Sequence, residues 1–167
     1  MRQLVAMALA AVLGLMLAGC GYRPLYGTSS GSSTPGVVQK LADISIEEQR
    51  TRAGQLVRND LVSTMGGGGS RYVLKMIINE GHFGVASINN TTVTRQRYTM
   101  NVGYQLLDTS SGKQVAGGRS FSTVDYDEIK EPVADLQAAE NARERAAREV
   151  SQDLRTRLSA FFASHNS

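Results

Sequence analysis

The chain has 167 residues, with 18 Lys and Arg against 15 Asp and Glu, two His, one Cys and no Trp. That length suits a single domain, and a net charge of +3 is too small to argue for a nucleic-acid partner. A lone Cys excludes an intramolecular disulfide framework, and together with two His it leaves little from which to build a zinc site.

Met1-Arg2-Gln3 is a short positive start, Leu4 to Leu17 is an apolar run broken only by Gly14, and Leu17-Ala18-Gly19 is a small-residue exit before Cys20. The apolar run is shorter than the roughly 20 residues a hydrocarbon core requires, so residues 1–19 read as a secretory signal that is removed. Leu17-Ala18-Gly19-Cys20 resembles the bacterial lipobox. The resemblance implies that the Cys20 thiol carries diacylglycerol and that its freed amine is acylated (palmitate in the usual case). Each buried CH₂ adds about 0.8 kcal/mol, so several chains hold a protein at a bilayer where one does not. Gly21, in place of Asp, resembles lipoproteins sorted to the outer membrane. Residues 20–36 then read as anchor and tether: Gly21 to Gly27 contains Tyr22, Pro24, Leu25 and Tyr26, and Thr28 to Gly36 is almost entirely Ser, Thr, Gly and Pro.

Residues 37–167 read as one folded domain. Ile44 and Ile46 alternate with Asp43, Ser45 and Glu47, which predicts a short half-buried strand. Ala53, Leu56, Val57, Leu61 and Met65 share a helical face, with Thr51 placed to cap the helix and Gly66 to end it. The four glycines from Gly66 exceed what a cap needs and predict a mobile loop. They follow a helix and lack a Gly-Lys-Ser/Thr sequence, so they do not make a phosphate loop. A strand is expected over 71–79, with a hairpin tip near Asn89-Asn90. Over 93–107, Tyr98, Met100, Val102, Tyr104 and Leu106 alternate with Arg95, Arg97, Thr99, Asn101, Gly103 and Gln105, the pattern of a sheet with one packed and one polar face. A turn at 108–112 leads to a fourth strand over 114–124, where Gly117-Gly118 marks a bulge or a close contact. From Pro132 to Phe162 a long helix is expected, with Leu136, Ala139, Ala142, Ala146, Val150, Leu154, Leu158 and Phe161 on its buried stripe. The predicted order is β-α-β-β-β-α. This is an α+β two-layer sandwich with two helices on one face of a four-stranded, mostly antiparallel sheet.

Catalysis is hard to build from these residues. A nucleophile needs a base in reach, and the only histidines are His82, in a predicted loop, and His165, near the C-terminus. Asp125, Asp127 and Glu128 lie just before the long helix, where acids suit the positive end of the dipole. No enzyme activity, cofactor or metal is expected. Arg95 and Arg97 share a strand parity, so both leave the polar sheet face, where two planar guanidiniums suit phosphate or carboxylate. Lys75 joins them as a candidate contact. The alternatives for the two arginines are solubilising charges on an edge strand and pairing with acids across the sheet.

Cys20-Gly21-Tyr22-Arg23-Pro24-Leu25-Tyr26-Gly27 resembles the start of the mature LptE family of lipopolysaccharide-assembly lipoproteins, as found in alphaproteobacteria. Thr94-Arg95-Gln96-Arg97-Tyr98, Tyr104-Gln105-Leu106-Leu107-Asp108, Ser111-Gly112-Lys113 and the Arg-rich terminal helix resemble that family too. The resemblance implies an outer-membrane lipoprotein, anchored through Cys20, that sits in the lumen of the LptD β-barrel. There it supports barrel assembly, binds lipopolysaccharide through basic residues and helps deliver it to the outer leaflet. It also implies two helices on a four-stranded sheet. The competing reading is a periplasmic auxiliary lipoprotein of an ABC-type lipid or solute exporter.

Overall fold

The computed structural model describes residues 36–87 and 94–165. The elements are α1 (Val37–Ala42), β1 (Ile44–Ile46), α2 (Arg52–Met65), β2 (Tyr72–Ser87), β3 (Thr94–Asp108), β4 (Gln114–Glu128) and α3 (Pro132–Ser164). The sheet order is β1-β2-β3-β4. β1 runs parallel to β2, as the α2 crossover between them permits, and the β2–β3 and β3–β4 pairs are antiparallel. The expected α+β two-layer fold is present, with one addition: among the described residues α1 makes three helices where two were expected. Six residues carry too little periodicity to stand out, and α1 is held by Val37 and Leu41 in the common core.

Strand alternation sets the layers. Leu74 and Met76 of β2, Tyr98, Met100, Val102, Tyr104 and Leu106 of β3, and Val124 of β4 are buried on one face. The helices cover that face with Val57 and Leu61 of α2 and Val150, Leu154, Leu158 and Phe162 of α3. The β4 positions nearest α3 are small and polar: the Ser120 hydroxyl donates to Asp153 at 2.6 Å and the Ser122 hydroxyl to Glu149 at 2.5 Å. α3 is thereby joined to the edge of the sheet by buried hydroxyls as well as by packing.

The local signals explain the boundaries. The Thr51 hydroxyl accepts from the Gly54 amide at 3.1 Å and caps α2. Gly66 ends α2 at φ +96°, in the left-handed region that glycine tolerates. The loop after it is built into the fold, contrary to the expected mobility. Gly68 bridges to Ser45, and a Cβ on Gly69 would fall 2.0 Å from the Asp43 carbonyl carbon. The run is glycine-rich because backbone meets backbone there. Gly118 lies against the Tyr104 ring, the close contact expected of it, while the bulge falls at Val115.

Two expectations need correction. β2 continues to Ser87, eight residues beyond the strand read from alternation, because β3 supplies a ladder partner along its whole length; Asn89-Asn90 lies outside the described residues. α3 begins at Pro132, but Leu136 is 72% exposed and Phe161 only half-buried, with Phe162 in the core instead. The stripe has the expected spacing, but its first turns find no packing partner.

Candidate functional site

Among the described residues no helix covers the second sheet face, and cross-strand register gives its layout. Lys75 lies beside Gln105 and Gly117; Ile77 beside Gly103 and Arg119; Asn79 beside Asn101 and Phe121; Gly81 beside Thr99 and Thr123; Phe83 beside Arg97 and Asp125. Ile77, Phe83 and Phe121 are 74%, 58% and 77% exposed. Large apolar side chains so exposed on one face are unusual for a surface that meets only water.

Arg95 and Arg97 do leave this polar face, but each meets an acid across the ladder. The Arg97 guanidinium holds Asp125 as a fork, Nε to Oδ1 at 2.7 Å and Nη2 to Oδ2 at 2.9 Å, and Arg95 Nε reaches Asp127 Oδ1 at 3.2 Å. Gln96 donates to Glu128 at 2.7 Å. The Asp125, Asp127 and Glu128 cluster, read as acids ahead of a helix, is thus the partner row of a β3–β4 charge ladder. Hydrogen bonding from Arg97 holds the Asp125 carboxyl below the usual carboxylate range and raises Arg97 itself. An incoming phosphate would have to displace a bidentate carboxylate to use Arg97.

Lys75 is less committed. Its ammonium lies 3.9 Å from Glu47, with both side chains about half exposed, an arrangement worth little in water. Arg119, a strand arginine that the sequence groups with Lys75, Arg95 and Arg97 without marking it as a contact, has no carboxylate partner among the described residues. Lys75 and Arg119 line opposite sides of a concavity of about 490 Å³, with Ile77, Gly103, Gln105 and Gln114 between and around them. Its floor is low because nothing comes within 4 Å of where a Gly103 Cβ would stand. Only the pairing of β2 to β3 to β4 brings these two cations to one groove.

A separate polar cluster sits on the helix-covered side. The buried Tyr98 hydroxyl donates to Glu80 at 2.6 Å, and Arg143 Nε of α3 donates to the same oxygen at 3.1 Å. Arg143 also pairs with Glu140, and its guanidinium stands over the Tyr98 ring. Burial works to raise the pKa of Glu80, but the hydrogen bonds from Tyr98 and Arg143 outweigh it and hold the carboxyl below 4.5. Burial and the Glu80 bond together push the Tyr98 phenol well above its usual range. Every partner is satisfied, so the cluster serves as a structural link between sheet and helix. His82 packs edge-on against Tyr98 and lies 3.3 Å from the Tyr126 hydroxyl, and His165 contacts Phe161; neither meets a nucleophile–acid pair. Cys20, the expected anchor, lies outside the described residues.

The architecture is that of a group of small bacterial lipoproteins. A protein described as a lipoprotein from Caulobacter crescentus matches with a TM-score of 0.69 at 28% identity, over 80% of this chain and 99% of that one. A minor lipoprotein from Acinetobacter baumannii (TM-score 0.52, 12% identity, 70% of this chain and 88% of that one) shares the fold. So does the rare lipoprotein B from Shewanella oneidensis (0.50, 14%, 74% and 98%). No curated protein matches by sequence. The family described as LptE, lipopolysaccharide-assembly, matches residues 38–158, and the chain belongs to it. That family is one of non-enzymatic lipopolysaccharide-assembly lipoproteins.

Proposed function

We propose that this protein is an outer-membrane lipoprotein, anchored through Cys20, that sits in the lumen of an LptD-type β-barrel, supports its assembly, binds lipopolysaccharide and helps deliver it to the outer leaflet. Membership of the lipopolysaccharide-assembly family carries this reading. Two features support it. The uncovered sheet face exposes Ile77, Phe83 and Phe121, side chains that a surrounding partner would take out of water. And Leu17-Ala18-Gly19-Cys20, which resembles a lipobox, offers a point of lipid attachment; among the described residues no helix is long and apolar enough to cross a membrane.

The test is co-purification of the tagged full chain from detergent-solubilised membranes. Recovery with a large outer-membrane β-barrel is the expected result. Recovery with inner-membrane transporter subunits and no barrel would replace this reading with that of an exporter's auxiliary lipoprotein.

A further inference from the structure

Resting on the lipopolysaccharide-binding reading above, we infer that the Lys75–Arg119 groove holds a phosphate of the lipid headgroup, with Ile77 and Phe121 against the apolar part of the same molecule. Three observations carry this. Among the cations of the open sheet face, Arg95 and Arg97 are held by Asp127 and Asp125, whereas Arg119 has no acid partner among the described residues. Lys75 has only the long, exposed contact to Glu47. The groove therefore carries two cations against one loosely held carboxylate.

The geometry suits one shared anion. Lys75 and Arg119 stand on β2 and β4 with β3 between them, two strand spacings across the sheet and two residues along it, about 12 Å apart. Between them β3 presents Gln105, level with Lys75, and Gly103, level with Arg119, whose missing side chain opens the floor. Long cationic side chains from both flanks can close on a phosphate there, the guanidinium as a planar fork and the ammonium as a point charge. The groove's volume of about 490 Å³ lies within the range of small-ligand sites. A free anion would leave Ile77 and Phe121 in water, and a purely apolar ligand would leave the cations idle, so the occupant is amphipathic.

The experiment is capture of the full chain, in detergent, on bead-bound purified lipopolysaccharide, with circular dichroism to confirm folding. Lys75→Glu with Arg119→Glu should weaken capture at least tenfold. Gly103→Leu, which fills open space without meeting another atom at its Cβ, should do the same while folding normally. Arg95→Ala with Arg97→Ala should stay within twofold of wild type. Lipopolysaccharide stripped of its lipid A phosphates should capture the wild type at least tenfold less well. If wild type is not captured at all, the lipopolysaccharide-binding reading itself falls, and the groove assignment with it. If wild type is captured and the folded groove variants match it, the reading stands and the groove is overturned. Displacement by equimolar inorganic phosphate would overturn the lipid as occupant. Unchanged lipopolysaccharide capture by Gly103→Leu, with loss of the co-purifying barrel, would assign this face to the barrel wall instead.

Discussion

Glu80 shows how one carboxylate ties two layers together. Its pKa is held below the ordinary 4.5, so it binds fewer protons folded than unfolded. Its contribution is fully present above that value and is lost as pH falls through the lowered folded value. Asp153, which accepts from Ser120 and Arg157, is shifted the same way. Melting temperature should therefore drop as pH is lowered below about 4.5, and Glu80→Gln should show a shallower drop because its amide does not titrate. An unchanged slope in Glu80→Gln would assign the acid sensitivity elsewhere. Gly69 acts by absence. A Cβ there overlaps the Asp43 backbone, which cannot move aside as a flexible side chain could. Gly69→Ala should cost about 1–3 kcal/mol in chemical denaturation, the range for a forced contact.

α3 separates periodicity from burial. Leu136 and Leu154 belong to one stripe, yet Leu136 is 72% exposed and Leu154 is fully buried. Leu154→Ala should cost about 2–5 kcal/mol, and Leu136→Ala should stay within about 0.5 kcal/mol, read as the shift in denaturation midpoint at constant slope. The β3–β4 ladder makes a similar point about charge. Arg95, Arg97, Asp125 and Asp127 look in sequence like two separate clusters of opposite sign. Antiparallel register brings them together as neighbouring pairs, and exposed pairs of this kind are screened by salt.

Among the described residues one sheet face is closed by helices and one is left open, and a lipid-anchored tether precedes the domain in the proposed arrangement. Metabolic labelling with a palmitate analogue should mark the wild type and leave Cys20→Ala unlabelled, since the proposed anchor is acylated at that thiol. Equal labelling of both would remove Cys20 as the anchor. The open face and the anchor are independent features, so Cys20→Ala should still be captured by lipopolysaccharide in detergent.

Alternation and helical spacing alone determined the layered α+β fold, the four strands, α2 and the long α3, because period-2 and period-3.6 burial are written directly into residue order. The opening of the mature chain and the lipobox pointed to a lipopolysaccharide-assembly lipoprotein for a similar reason: those motifs are contiguous. Whatever depended on neighbours distant in the chain was decided only by tertiary structure. Register decided among the readings left open for Arg95 and Arg97, pairing them with Asp127 and Asp125. It also set Lys75, Gly103 and Arg119 around one groove, though they come from three strands. The neighbours each turn of α3 meets decided that Leu154 is core and Leu136 is surface. Parity tells which face a side chain leaves from; only the fold tells what it meets there.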